Sequence, residues 1–169
     1  DTIDFNRYPD PTVDGLRRLA GREFRVAPGN IVVGNGSDEL ISLIMNTFAP
    51  RGGKVMVLSP DFSMYQFYAE VAELDVVNML KDDEFMLTEQ DVIERAQKEK
   101  PDILIFSNPC NPGGQGFTHA ETVRICNALE DMLVVVDEAY MDFWDQSILD
   151  VSTALENVLV MKTLSKAYG

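Results

Sequence analysis

Six short apolar runs, at residues 30–34, 54–58, 75–79, 102–106, 132–136 and 157–161, recur along the chain with helix-length stretches between them. Runs this short are strands, and those apolar at nearly every position read as strands covered on both faces. Alternating strands and helices, joined by right-handed crossovers, build a mostly parallel sheet with helices on either side. The expected fold class is therefore α/β, a three-layer α/β/α arrangement. Such crossovers bring every strand exit to one edge of the sheet, where open α/β sheets hold their ligands. The residues just after each run are thus the ones to examine for chemistry.

Residues 1–11, with Pro9 and Pro11, form an expected extended entry segment. A helix is expected from Thr12, with Val13, Leu16, Leu19, Ala20 and Phe24 as its packing face. Pro28-Gly29 ends it, and 30–34 follows as a short buried strand. Gly34-Asn35-Gly36-Ser37-Asp38-Glu39 then turns into an apolar helix over 40–48. Ser37 or Asp38 suits an ordinary N-cap, and the same turn suits an anion cradle of backbone amides at a helix N-terminus. Beyond 54–58, Tyr65 begins a helix running to about Ala72, placed either for the core or for stacking on a planar ligand. An acidic loop at 82–84 and a charged helix from Thr88 to Lys98 precede the strand at 102–106. Its exit, 107–114, holds Asn108, Pro109, Asn111 and Pro112, a stiff loop that is either a plain turn or a mount for a side-chain amide.

Thr118 and Glu121 make a capping box for a helix ending near Glu130. The run at 132–136 delivers Asp137-Glu138-Ala139-Tyr140. An acid pair after an apolar strand also occurs in P-loop NTPases, but the G-x-x-x-x-G-K-[ST] loop they require is not in this sequence. After 157–161 comes Thr163-Leu164-Ser165-Lys166. Lys166 is either a solvated surface lysine or an amine whose pKa is lowered by partial burial, able to condense with a carbonyl.

Composition narrows the partners. With 14 basic and 28 acidic residues, the net charge of −14 repels a phosphate backbone and an anionic membrane surface, so neither nucleic acid nor membrane is an expected partner. Cys110 and Cys126 make no metal or disulfide spacing, which fits a reducing, cytoplasmic setting. No metal site is expected, and His119, the one histidine, stands at a helix start on the surface. No apolar run approaches the ~20 residues that cross a bilayer. The chain opens on Asp1 and stops three residues after Lys166, so a piece of a longer protein is expected.

Gathered at one edge, Ser37, Tyr65, Asn111, Asp137, Tyr140 and Lys166 offer a phosphate cradle, a ring, an amide, an acid and an amine. That inventory suits a planar, phosphorylated, aldehyde-bearing heterocycle, pyridoxal 5'-phosphate. With Asn6-Arg7-Tyr8-Pro9, residues 34–39, Asn111-Pro112-x-Gly114, Asp137 to Tyr140 and Ser165-Lys166 in order, the whole chain resembles the front half of a fold-type I, class I/II aminotransferase. The resemblance is strongest to the histidinol-phosphate aminotransferases. It implies that Lys166 carries the cofactor as a Schiff base and shuttles a proton, while Asp137 pairs with the pyridinium nitrogen. It further implies that Asn111 and Tyr140 hold the ring oxygen and that Tyr65 stacks on the ring. The phosphate falls to the turn at Ser37, Asp38 and Glu39 with Thr163 and Ser165, and Tyr8 reaches the partner subunit's cofactor in a homodimer.

The domain division expected from the resemblance is an extended segment at 1–11 and a partial cofactor-binding large domain at 12–169, with the C-terminal small domain absent. The substrates implied are amino and 2-oxo acids: histidinol phosphate and imidazole acetol phosphate with glutamate and 2-oxoglutarate. A threonine-phosphate decarboxylase, another class I/II aminotransferase, and an inactive truncated domain are the alternatives. One departure stands out: Gly113 occupies a position where the family usually has threonine.

Overall fold

The structure is a computed structural model that describes residues 8–168. Its chain divides into a compact unit ending at Val33 and a second one from Gly34 onward. In the first, helix α1 spans Asp14–Glu23. The Asp10 carboxylate accepts from the Thr12 amide at 2.9 Å and hydroxyl at 2.7 Å just ahead of it. A 3-10 turn at Pro28–Asn30 follows, and Arg17 Nε donates to the Pro28 and Ile31 carbonyls, both at 3.0 Å, tying helix to turn.

Two expectations fail in this unit. Residues 30–34 are not a buried strand: they pair with no strand among the described residues, and Val32 is 77% exposed. Apolar β-branched residues favour extended backbone, but a strand exists only through its ladder, and here no neighbour supplies one. The α1 packing face is only partly covered: Leu16 and Leu19 are exposed, while Val13, Ala20 and Phe24 are half-buried.

The second unit alternates as the apolar runs require. In order it comprises α2 (Ser37–Phe48), β1 (Lys54–Ser59), α3 (Met64–Val71), β2 (Asp75–Leu80), α4 (Glu89–Glu99), β3 (Ile103–Ser107), α5 (His119–Ala128), β4 (Leu133–Asp137), α6 (Leu149–Ser152) and β5 (Val158–Met161). The strands form one five-stranded sheet ordered β2-β1-β3-β4-β5, and each neighbouring pair is parallel. Because β2 lies outside β1 and β3 on its other side, the topological switch point falls between the exits of β1 and β3.

Two apolar cores sandwich the sheet. Met56, Leu58, Leu104, Phe106, Val134 and Val136 point to the side covered by α4 and α5. Val55, Val57, Ile103, Ile105 and Val135 point to the side covered by α2 and α3. The strict alternation follows from the two-residue period of a strand, and consecutive apolar residues are needed because both sides are dry. The Thr118–Glu121 capping box forms as read. A second one forms at Thr88, where Asp91 takes the place of the longer acid and reaches back to the Thr88 amide.

Burial on both sides predicts that neighbouring residues of β3 are equally costly to truncate. Leu104→Ala and Ile105→Ala, each at a fully buried position, should both lose about 2–5 kcal/mol in denaturant unfolding. If either changes stability by less than about 0.5 kcal/mol, one side of the sheet is not packed.

Candidate active site

Asp137 closes β4, in register with Ser107 of β3 on one side and Met161 of β5 on the other. It is 4% exposed, and its carboxylate accepts from Tyr65 Oη at 2.7 Å and from the Ala139 amide at 3.0 Å. Burial raises the carboxyl above its ordinary pKa; the Tyr65 and Ala139 donors pull it back, and the Asp61 and Glu138 charges add to the rise. Burial, and then the Asp137 charge, holds the Tyr65 hydroxyl well above the phenol range, so it stays a donor. An acid kept dry at a strand exit, steadied by one phenol, is suited to receive a cation.

Tyr65 cannot also be the stacking ring. It is fully buried on the first turn of α3, which leaves no ring face for a ligand. The ring with free surface is Phe62, in the loop between β1 and α3, packed edge-on against Tyr65 with centroids 5.6 Å apart and planes at 84°. The signal for Phe62 was its place in the loop nearer the strand exit; the rotation of α3 then decides which aromatic turns inward.

Asn111, Tyr140 and Lys166 do come together. Asn111 Nδ2 donates to Tyr140 Oη at 2.9 Å, and Lys166 Nζ lies 5.6 Å from the centroid of the Tyr140 ring, close enough for a cation–π contact. Lys166 is exposed, so the partial burial expected for it is not present among the described residues. A cleft of about 500 Å³ opens beside Asn111 and Tyr140, walled by Pro109, Gln115, Phe143 and Trp144.

Two residues with a supporting part escaped the sequence reading. Asn108 is fully buried; its amide exchanges bonds with the Phe117 carbonyl at 2.9 Å and amide at 2.8 Å, closing the loop that presents Asn111. Only burial separates these two asparagines, because both precede a proline. Glu138, 1% exposed, accepts from Ser147 Oγ at 2.6 Å, the Ile148 amide at 2.9 Å and Lys162 Nζ at 3.3 Å. It thereby anchors the segment carrying Asp137 and Tyr140 to the exit of β5, which leads to Lys166.

At the start of α2, Gly36 has φ +82°, a left-handed conformation that favours glycine, and no side chain caps the helix. Ser37 and Asp38 lie inside the first turn instead of capping it. The Glu39 carboxylate folds back to accept from the Asn35 amide, so this side chain braces the turn and does not face an anion. What the turn offers an anion is its backbone amides and the helix dipole. Thr163 and Ser165 pair their hydroxyls at 2.8 Å. Among the described residues no hydrogen bond joins Ser37, Asp38 or Glu39 to the Lys166 group. Tyr8, in the unit ending at Val33, is fully exposed.

Comparison with known proteins bears on this constellation. The family described as aminotransferase class I and II matches residues 1–169. Histidinol-phosphate aminotransferase of Clostridium novyi (strain NT) is 41% identical over 167 residues, covering 99% of this chain and 47% of that protein. The crystal structure of histidinol-phosphate aminotransferase from Sinorhizobium meliloti, in complex with pyridoxal-5'-phosphate, superposes with a TM-score of 0.90 at 25% identity, over 98% of this chain and 46% of that one. The L-threonine-O-3-phosphate decarboxylase of Porphyromonas gingivalis shares the fold, with a TM-score of 0.81 at 24% identity over 97% of this chain and 48% of that one. The chain spans about half the length of the curated relatives it matches.

The dry acid at Asp137 yields a stability prediction. A carboxyl whose folded pKa is raised contributes stability below its unfolded pKa and loses it as pH rises through the folded value. Asp137→Asn keeps hydrogen-bonding groups for both Tyr65 and the Ala139 amide but carries no charge. The cofactor-free variant should therefore be more stable than the parent at pH 7, read as a higher Tm. The gain should shrink as pH falls and vanish below about pH 3, where the parent carboxyl is protonated in both states. Equal stability at neutral pH would show that the carboxylate is not penalised by its burial.

Proposed function

We propose, since this chain belongs to the class I and II aminotransferase family, that it forms the cofactor-binding half of a pyridoxal-phosphate-dependent aminotransferase. Its reaction exchanges an amino group between histidinol phosphate and 2-oxoglutarate, giving imidazole acetol phosphate and glutamate, the histidine-biosynthesis type. The single observation that carries this reading is the grouping of Lys166 over the Tyr140 ring with Asn111 on the Tyr140 hydroxyl. Asn111 follows β3, Asp137 and Tyr140 stand at the exit of β4, and Lys166 follows β5, so three neighbouring strand exits supply the amide, the buried acid, the phenol and the amine.

The residues present fit the cofactor. Asp137 is a desolvated carboxylate whose charge a cationic ring nitrogen would stabilise. Asn111 and Tyr140 supply donors for a ring oxygen, Phe62 supplies the exposed aromatic surface in place of Tyr65, and the uncapped start of α2, with Thr163 and Ser165, supplies donors for a phosphate. When bound, pyridoxal phosphate provides an electron sink for the charge left on the substrate's α-carbon. The chain's own work is positional and protonic. Tyr65 orients the Asp137 carboxylate, Glu138 and Asn108 hold the two loops, and Lys166 Nζ acts as the base and then the acid.

The substrate assignment draws on relatives 36–41% identical that carry the histidinol-phosphate name. A homodimer in which Tyr8 reaches the partner's cofactor, and a cytoplasmic setting, which suits two cysteines not joined in a disulfide, belong to the same proposal. No helix among the described residues is long and apolar enough to cross a membrane.

Borohydride reduction of the full-length protein with pyridoxal phosphate, followed by peptide mapping, should place the pyridoxyl group on Lys166. Lys166→Ala should abolish that adduct and lower turnover of histidinol phosphate with 2-oxoglutarate at least about 1,000-fold. Carbon dioxide release from threonine phosphate without need of a 2-oxo acid would identify the decarboxylase instead. A folded protein that fixes no pyridoxyl group would sink the cofactor reading altogether.

A further inference from the structure

The switch point between β1 and β3 holds a buried polar cluster that the proposed reaction does not use. Lys81 follows β2, and its side chain is only 7% exposed. Nζ donates to the Pro60 carbonyl at 2.9 Å and lies 3.7 Å from the fully buried Asp61 carboxylate, which also binds the Ser107 amide at 3.0 Å and the Ser107 hydroxyl. The same Nζ is 2.8 Å from Cys110 Sγ. Cys110 is 6% exposed and begins a tight turn, donating its amide to the Gln115 carbonyl and accepting from the Gly114 amide, both at 2.7 Å. A buried amine and a thiol at this separation already stand at the distance from which bonds form.

A second observation is independent of that contact. Lys81 and Cys110 both line a cavity of about 20 Å³, with Phe106, Ser107 and Phe117 among its other walls. That is room for one water-sized polar molecule, and hydrogen peroxide is little larger. Thiols that react, as opposed to those that merely pack, sit beside cations with some access for a small reagent. Cys126 is the internal contrast. It is fully buried in the core between α5 and the sheet, its thiol is pushed up to about 12 by burial, and no amine is bonded to it among the described residues.

We propose that Lys81 and Cys110 are a redox modification site, joined by a covalent sulfur–nitrogen crosslink when the protein meets hydrogen peroxide. Cys110 Sγ attacks one peroxide oxygen; the O–O bond breaks, an S–O bond forms, and water leaves with the thiol proton. Sulfur is oxidised by two electrons and peroxide is reduced. The Lys81 ammonium then passes one proton to the Asp61 carboxylate, which burial makes a better proton acceptor than an exposed aspartate. Its lone pair forms the N–S bond, and the sulfenic hydroxyl departs with a second nitrogen proton as water, with no further change in oxidation state. Added thiol reverses the link by attacking sulfur, which returns the amine, and a second thiol then frees Cys110. Because Asn111 is the next residue, the crosslink pins the loop that carries it to the exit of β2.

The test is non-reducing peptide mapping of the full-length protein after exposure to hydrogen peroxide. The expected product is one linked pair of peptides containing Lys81 and Cys110, about 2 Da lighter than their sum, lost on treatment with dithiothreitol. Cys126 should remain a thiol throughout. In Lys81→Arg, which keeps a cation beside Asp61, Cys110 should proceed to sulfinic acid without any link. Should that variant fail to fold, the linked peptide in the parent, and its absence from Cys110→Ser, still decide the matter. A folded parent in which Cys110 stays reduced, or reaches sulfinic acid with no linked peptide, overturns the proposal. No activity is read, so this outcome is separate from that of the proposed transamination.

Discussion

A parallel sheet buried on both faces has nowhere to put polar groups except at its ends, and that constraint shapes the rest of this molecule. Within β1, β3 and β4 successive side chains enter opposite dry cores, so the strands carry almost nothing but Val, Ile, Leu, Met and Phe. Chemistry is thereby pushed to the strand exits, and parallel connections align those exits along one edge. Asp137 at the last position of β4, and Phe62, Asn111, Tyr140 and Lys166 in segments that follow strands, all lie where they do for this reason.

The edge gathers buried acid in a chain that already carries a net charge of −14. Asp61, Asp137 and Glu138 are all withdrawn from water, and each is held by a different set of donors. Glu138 takes a hydroxyl, an amide and an ammonium, which suits a structural anchor. Asp61 takes the Ser107 donors with the Lys81 ammonium nearby. Among the described residues Asp137 takes a phenol and one amide, both neutral, so of the three it retains the greatest demand for a positive partner. This difference, more than burial itself, separates the acid that can serve a ligand from the two that organise the loops around it.

Neighbouring exits also divide support from chemistry within one loop. Asn108 turns into the protein and closes 108–117 on itself, leaving Asn111 outward against Tyr140. Between them Cys110 faces the amine of Lys81, across the point where the sheet order reverses. A short stretch rich in Asn and Pro thus serves the core, the lysine–cysteine pair and the candidate site at successive positions.

The sequence alone determined the alternation of strands and helices, the three-layer class and the set of exits, because strand burial and helix starts are written in local patterns a few residues long. The Thr118 capping box and the approach of Lys166 to Tyr140 and Asn111 were legible for the same reason: each residue sits directly after a recognisable run. Tertiary structure decided what depends on partners distant in sequence. Residues 30–34 look like a strand, yet a ladder needs a neighbour. Tyr65 reads as a stacking ring, yet the rotation of α3 buries it against Asp137 and leaves Phe62 with the free surface. Lys81 and Cys110, 29 residues apart, meet only because β2 and β3 flank β1. Local sequence specifies which surfaces must be hidden; only packing of the whole sheet specifies which side chains end up beside one another.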